Sequence, residues 1–161
     1  MKYILIVFLF IYGCTKVEEY STVPNIEYNG FTISKDINNK DSSGILKLTF
    51  TDGEGDIGLG QGDTIYPYSK NSIHYFNLIV DYYKKSNGEY ILFEQDPPAY
   101  YRIPPIYKKS YTEAPTKGEI EVNINYLSVV PFDTFQFSIY IFDRALNKSN
   151  IIRSGDIVLE K

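Results

Sequence analysis

Residues 118–126 read G-E-I-E-V-N-I-N-Y, with Ile120, Val122, Ile124 and Tyr126 at one parity and Glu119, Glu121, Asn123 and Asn125 at the other. Successive side chains of an extended chain point to opposite faces, so this alternation predicts a strand with one dry side. The same period runs through 44–52, with Leu46, Leu48 and Phe50, and through 134–143, with Phe135, Phe137, Ile139 and Ile141. Segments 75–84 and 89–94 flank Asn87-Gly88, a dipeptide that accepts positive φ and favours a tight hairpin turn. Segment 25–33 opens the series and 150–159 closes it. No stretch sustains a helical period. About seven short strands with polar turns between them predict an all-β antiparallel sandwich, of the immunoglobulin or fibronectin type III kind but without the cysteine and tryptophan hallmarks of true immunoglobulin domains.

Ahead of the strands, an apolar run over 3–12 follows Lys2 and ends at Gly13-Cys14. A membrane span needs about 20 apolar residues, and this run stops well short before Lys16, Glu18 and Glu19. A charged start, a short apolar stretch and a small residue before a cut site are the marks of a secretory signal. The Ile-Tyr-Gly-Cys ending resembles the lipobox of bacterial lipoproteins, which implies that Cys14 becomes the first residue and carries acyl chains. At about 0.8 kcal/mol per buried methylene, two or three chains hold a protein to its membrane. The expected division is 1–13 signal peptide, 14–24 lipidated N-terminus and tether, and 25–161 sandwich domain. Lys16-Val17-Glu18-Glu19 resembles the export tag that sends lipoproteins of Bacteroidota to the cell surface; an ordinary charged tether is the alternative.

Cys14 is the only cysteine, so the mature chain forms no internal disulfide. The formal charge of −4 becomes −5 when Lys2 leaves with the signal. No cluster of Lys and Arg offsets it, which argues against nucleic acid as a partner. Sixteen tyrosines and ten phenylalanines, with no tryptophan, suit pleated surfaces.

The densest polar motif is T-D-G-E-G-D-I-G-L-G-Q-G-D at 51–63. Asp52, Glu54, Asp56 and Asp63 stand at positions 1, 3, 5 and 12 of the calcium-loop spacing. Position 6 is Ile57 where that loop has glycine, position 12 is the shorter Asp, and no helices flank the segment, so an EF-hand is not expected. A second geometry is more informative. Asp52 keeps the inward parity of Leu46, Leu48 and Phe50, and Asp143 keeps that of Phe135, Phe137, Ile139 and Ile141. If these are the second and sixth strands of a sandwich, both carboxylates cap the core at one pole, on facing sheets. Buried carboxylates need compensation from a cation such as calcium, from Arg144 or from loop amides. A plain turn-rich loop, with Asp side chains bonding their own backbone, is the alternative.

The same pole should receive the long connection 95–116. Its P-P-A-Y-Y-R-I-P-P-I-Y core is stiffened by proline and kept out of a central strand. Tyr100, Tyr101, Arg102 and Tyr107 are the candidate ligand or partner residues, because tyrosine offers broad amphipathic faces at small entropy cost. Such a segment also serves simply to cover one end of a sandwich.

The pairing of L-x-L-x-F-T-D-G-E-G-D-I-G-L at 46–59 with I-Y-I-F-D-R-A-L-N-K-S-N at 139–150 resembles a group of uncharacterised small lipoproteins of Bacteroidota with an immunoglobulin-like domain. The resemblance implies an outer-membrane, lipid-anchored protein, with no activity to carry over. D-R-A-L-N-K-S also resembles the D-x-A-G-N-x-S stretch before the last strand of many bacterial immunoglobulin-like domains, with Leu146 in place of the glycine. No nucleophile elbow, H-E-x-x-H or phosphate loop is present. The expectation is a non-catalytic binding or accessory module of a larger envelope system, with an outer-membrane protein or a glycan as partner. A carbohydrate-binding module using the tyrosine-proline loop is the alternative, and a glycosidase-like enzyme using two of the carboxylates stands third.

Overall fold

The computed structural model describes residues 19–106, 114–125, 127 and 130–161. The expectations for Cys14, Lys16, Glu18, Tyr107 and Tyr126 fall outside these residues. The described chain is an all-β sandwich with β1 Asn25–Lys35, β2 Asp41–Asp52, β3 Leu78–Ser86, β4 Glu89–Phe93, β5 Tyr100–Tyr101, β6 Thr116–Ile124, β7 Thr134–Ile141, β8 Ile152–Arg153 and β9 Ile157–Val158. One three-stranded sheet has the order β1-β2-β6. The other runs β4-β3-β7-β8, with β5 also pairing β3 and β9 also pairing β7. Every pairing is antiparallel.

The alternation read from the sequence is the alternation observed. Leu46, Leu48 and Phe50 of β2, Ile120, Val122 and Ile124 of β6, and Phe135, Phe137, Ile139 and Ile141 of β7 all face one core. Phe31 of β1 meets Phe137 of β7 edge to face, with ring centroids 5.2 Å apart, so aromatic packing bridges the two sheets. Asn87 and Gly88 take φ of 51° and 86°, as the tight hairpin requires.

Departures from the periodicity in β3 and in the closing segment have tertiary reasons. The strand expected over 75–84 starts only at Leu78, because Tyr75 turns out beneath the Arg102 guanidinium at 4.8 Å and Phe76 turns towards Tyr100. Ile79 on the outer face is 4% exposed although its parity is polar elsewhere; its cross-strand neighbours are Tyr100 and Tyr140. The closing strand expected over 150–159 is split into β8 and β9. Between them the Ser154 hydroxyl accepts from Phe137 N at 2.8 Å while Ser154 N donates to Phe137 O, so a side chain replaces one rung of the ladder. Asp156, just past that irregularity, ties the closing segment to the β3–β4 hairpin through Lys85 at 2.8 Å and Tyr90.

Asn150 joins the last segment to the opposite sheet. Its Oδ1 accepts from Ile26 N at 2.8 Å and its Nδ2 donates to Ile26 O at 2.9 Å, so one amide side chain completes a backbone-like pair at the edge of β1.

Candidate functional site

The acidic pole is built from the ends of β2 and β7. Asp52 is the last residue of β2, at inward parity, and is wholly buried; Asp143, two residues past β7, is 1% exposed. Asp56 folds back so that its N–H donates to Asp52 Oδ2 at 2.9 Å, while its own Oδ2 accepts from Ala145 N at 3.1 Å across the gap between the sheets. Asn147 serves Asp143 twice, through its N–H at 2.7 Å and its Nδ2 at 2.9 Å. One carboxylate oxygen from each of Asp52, Asp56 and Asp143 lies within 4.8 Å of the others. Asp52 Oδ1 and Asp56 Oδ1 are buried and have no hydrogen-bond donor from the protein.

Burial, then the charges of Asp143, Asp52 and Glu54, push the Asp56 carboxyl up to about 6. Burial raises Asp143 as well. The neighbouring Arg144 guanidinium forms an ion pair with none of the three. Arg144 turns away to grip Asp63 with Nη1 at 2.6 Å and Nη2 at 3.1 Å, which holds the Asp63 carboxyl below its ordinary value. Of the acidic residues singled out from the sequence, the structure therefore gathers Asp52, Asp56 and Asp143. Glu54 acts electrostatically on Asp56 from outside the converging set, and Asp63 belongs to a separate ion pair. Linear spacing could not separate these roles, because Gly60 N caps Asp63 Oδ2 at 2.6 Å and so aims that carboxylate at Arg144. Ile57, which breaks the calcium-loop pattern, is 2% exposed and belongs to the core.

The turn that presents Asp143 contains a strained residue. Leu146 has φ 69°, and its N–H closes on Asp143 O at 3.3 Å. Left-handed φ costs a residue with a Cβ about 1–2 kcal/mol, against about 0.4–1 kcal/mol for the extra freedom glycine has when unfolded. Leu146→Gly is thus expected to raise stability by up to about 1 kcal/mol, read as an upward shift of the urea midpoint at unchanged slope.

The tyrosine-proline segment reaches the same pole, as expected, but as a braced ridge. Tyr101 pairs with Leu78 and Tyr100 with Ile79, which makes β5 an edge piece beside β4 on β3. Their rings therefore take opposite faces. Tyr101 lies inward against the core, and Tyr100 lies on the outer face near Phe76 and Asp81. Both are half-buried. Arg102 points inward too: Nη1 donates to Tyr75 O at 2.6 Å, and Nη2 donates to Gly60 O and Asp63 O at 3.0 and 3.2 Å. It is a brace between the ridge and the glycine loop.

Asn77 was not singled out from the sequence, although a lone amide inside Y-F-N-L-I-V was the signal. It is 2% exposed, and its Oδ1 accepts from Ile103 N at 2.7 Å, locking the ridge to β3. On the inner side of the ridge, among the described residues, a groove of about 340 Å³ is lined by Gln95, Pro97, Tyr100, Tyr101, Asn123 and Asn125. On the outer side a second groove of about 240 Å³ is lined by Asp81, Leu92, Glu94, Pro98 and Tyr100. His74, the lone histidine, packs its ring edge-on against Phe142 at 5.1 Å.

Comparison of the chain with family models, with curated proteins and with solved structures returned no match.

Proposed function

We propose that this chain is a non-catalytic binding module, held at the outer membrane by lipid on Cys14 and acting as an accessory to a larger envelope system. The observation that carries the binding reading is the ridge over 95–104. It is fixed in its middle by the pairing of β5 with β3 and towards its C-terminal end by Arg102 and by the bond of Asn77 to Ile103, and it walls a groove on each side. A segment already ordered loses little further entropy on binding, so such bracing favours recognition over mere coverage. The lipid anchor and the outer-membrane address rest on the sequence around Cys14 and on the resemblance to Bacteroidota lipoproteins.

A glycan is the second reading, favoured by the lining of the inner groove. Tyrosine faces suit sugar rings, and the amides of Gln95, Asn123 and Asn125 supply donors and acceptors together. Purification of the native protein from solubilised outer membranes separates the two: a stoichiometric membrane-protein partner supports the accessory role, and selective retention on a glycan array supports the sugar-binding role. Tyr100→Ala combined with Asn123→Ala is expected to weaken capture by about tenfold or more while the domain still melts cooperatively. Undiminished capture by that folded variant would remove the ridge as the contact. Cys14→Ser is expected to abolish incorporation of a fatty-acid analogue, and label found in that variant would end the lipoprotein reading.

A further inference from the structure

We propose that Asp52, Asp56 and Asp143 bind one calcium ion, which clasps the 53–63 loop to the 143–147 turn and thereby joins the two sheets at this pole. Calcium takes oxygen ligands at about 2.3–2.6 Å, so oxygens on opposite sides of one ion stand about 4.6–5.2 Å apart. Three carboxylate oxygens that all lie within 4.8 Å of one another fit inside a single coordination sphere.

The second observation is the state of the oxygens themselves. Asp52 is completely buried, yet its Oδ1 has no donor, and the buried Asp56 Oδ1 likewise has none. Leaving a buried charged oxygen unpaired is costly, and native structures satisfy such groups with protein, water or an ion. Backbone amides already occupy the Oδ2 atoms of Asp52 and Asp56 and both oxygens of Asp143 are taken by Asn147, so the hydrogen bonds present orient the three groups without neutralising them. The chain places Arg144 next to Asp143 but spends its guanidinium on Asp63 and Gly58 O. Among the described residues, no Lys or Arg forms an ion pair with any of the three.

An all-oxygen, carboxylate-rich set on irregular loops suits calcium, which tolerates six to eight ligands in varied geometry. Magnesium demands a near-ideal octahedron at about 2.0–2.1 Å and keeps its waters. Asp63, although in the same glycine-rich motif, is outside the site, and this distinguishes the proposal from a reading of the linear spacing.

The test uses the full chain in mild detergent, stripped with chelator and titrated with calcium chloride at constant ionic strength. Extracellular calcium modules bind with dissociation constants of about 10⁻⁴ to 10⁻³ M, so about 10 mM calcium is expected to raise the melting temperature by about 3–10 °C. Equilibrium dialysis is expected to show one saturable ion per chain. Asp52→Asn and, separately, Asp56→Asn should abolish both signals, whereas Asp63→Asn should keep them; in chelator the first two are expected to melt no lower than the parent, having lost a buried charge. Absence of saturable calcium binding by the parent chain overturns the proposal whatever the variants do. A shift that survives both Asp52→Asn and Asp56→Asn overturns the assignment to these residues, and an equal shift with magnesium overturns the choice of calcium.

Discussion

Phe137→Ala is expected to remove about 3–5 kcal/mol of stability and to lower the melting temperature by roughly 10–20 °C. Phe137 is fully buried at the centre of the inner face of β7. Its ring meets Phe31 across the sandwich at 5.2 Å, Tyr82 on the neighbouring strand at 5.0 Å and Phe135 along its own strand at 5.1 Å. Alanine there deletes the transfer free energy of a whole ring and leaves a void that two hydrogen-bonded sheets cannot close. A domain of this size holds about 5–15 kcal/mol in total, so a substantial part of the fold's stability depends on one side chain. Lys47→Ala is the contrasting control. Lys47 pairs with Glu121 at 2.6 Å, but both side chains are about half exposed, and screened surface pairs contribute about 0–1 kcal/mol. Chemical denaturation of the two variants side by side checks the difference; a drop of under 1 kcal/mol for Phe137→Ala would mean that the sheets are not packed through this ring.

Gly58→Ala is expected to undock the glycine loop from the ridge at a cost of about 2 kcal/mol or more. Gly58 has φ 117°, a conformation that side chains with a Cβ rarely adopt, and an added Cβ would sit 2.4 Å from Pro104 O and 2.6 Å from Pro105 Cα. Those are backbone and ring atoms, which cannot rotate aside. The same contact line carries the Leu59 N–H to Ile103 O bond at 2.8 Å and the Arg102 bonds to Gly60 O and Asp63 O. Losing register at Gly58 therefore frees both the ridge and the loop that carries Asp56. Hydrogen exchange at the Leu59 amide reads this directly and is expected to rise in Gly58→Ala. Gly62→Ala, where an added Cβ meets nothing within 4 Å, should stay within about 0.5 kcal/mol of the parent. Equal protection of Leu59 in both variants would show that the close approach at Gly58 does not hold the loop.

Both contacts bear on how far the chain is legible without its fold. Periodicity is a local property: each residue of an alternating run has its face set by its immediate neighbours, and for that reason the sequence alone determined the sandwich class, the Asn87-Gly88 turn, the inward core of β2, β6 and β7, and the placement of Asp52 and Asp143 at one end of it. Where strands stop was less legible. Tyr75 leaves β3 for a cation on another segment, and Ser154 interrupts the last strand by bonding to β7; neither partner lies nearby in sequence.

The choice among the acidic residues was decided only in three dimensions. Asp56 and Asp63 are equivalent by composition and both fit a metal-loop spacing, yet one reaches the Ala145 amide beside Asp143 and the other is captured by Arg144. Likewise Tyr100 and Tyr101 are adjacent and identical in chemistry, and only their pairing with Ile79 and Leu78 sends one ring outward and the other into the core. Alternation along a strand is dictated by backbone geometry, whereas convergence of side chains depends on which loops pack against which. That packing is settled by contacts such as Gly58 on Pro104 and Arg102 on Gly60, whose partners are more than forty residues apart, so it became visible only with the tertiary structure.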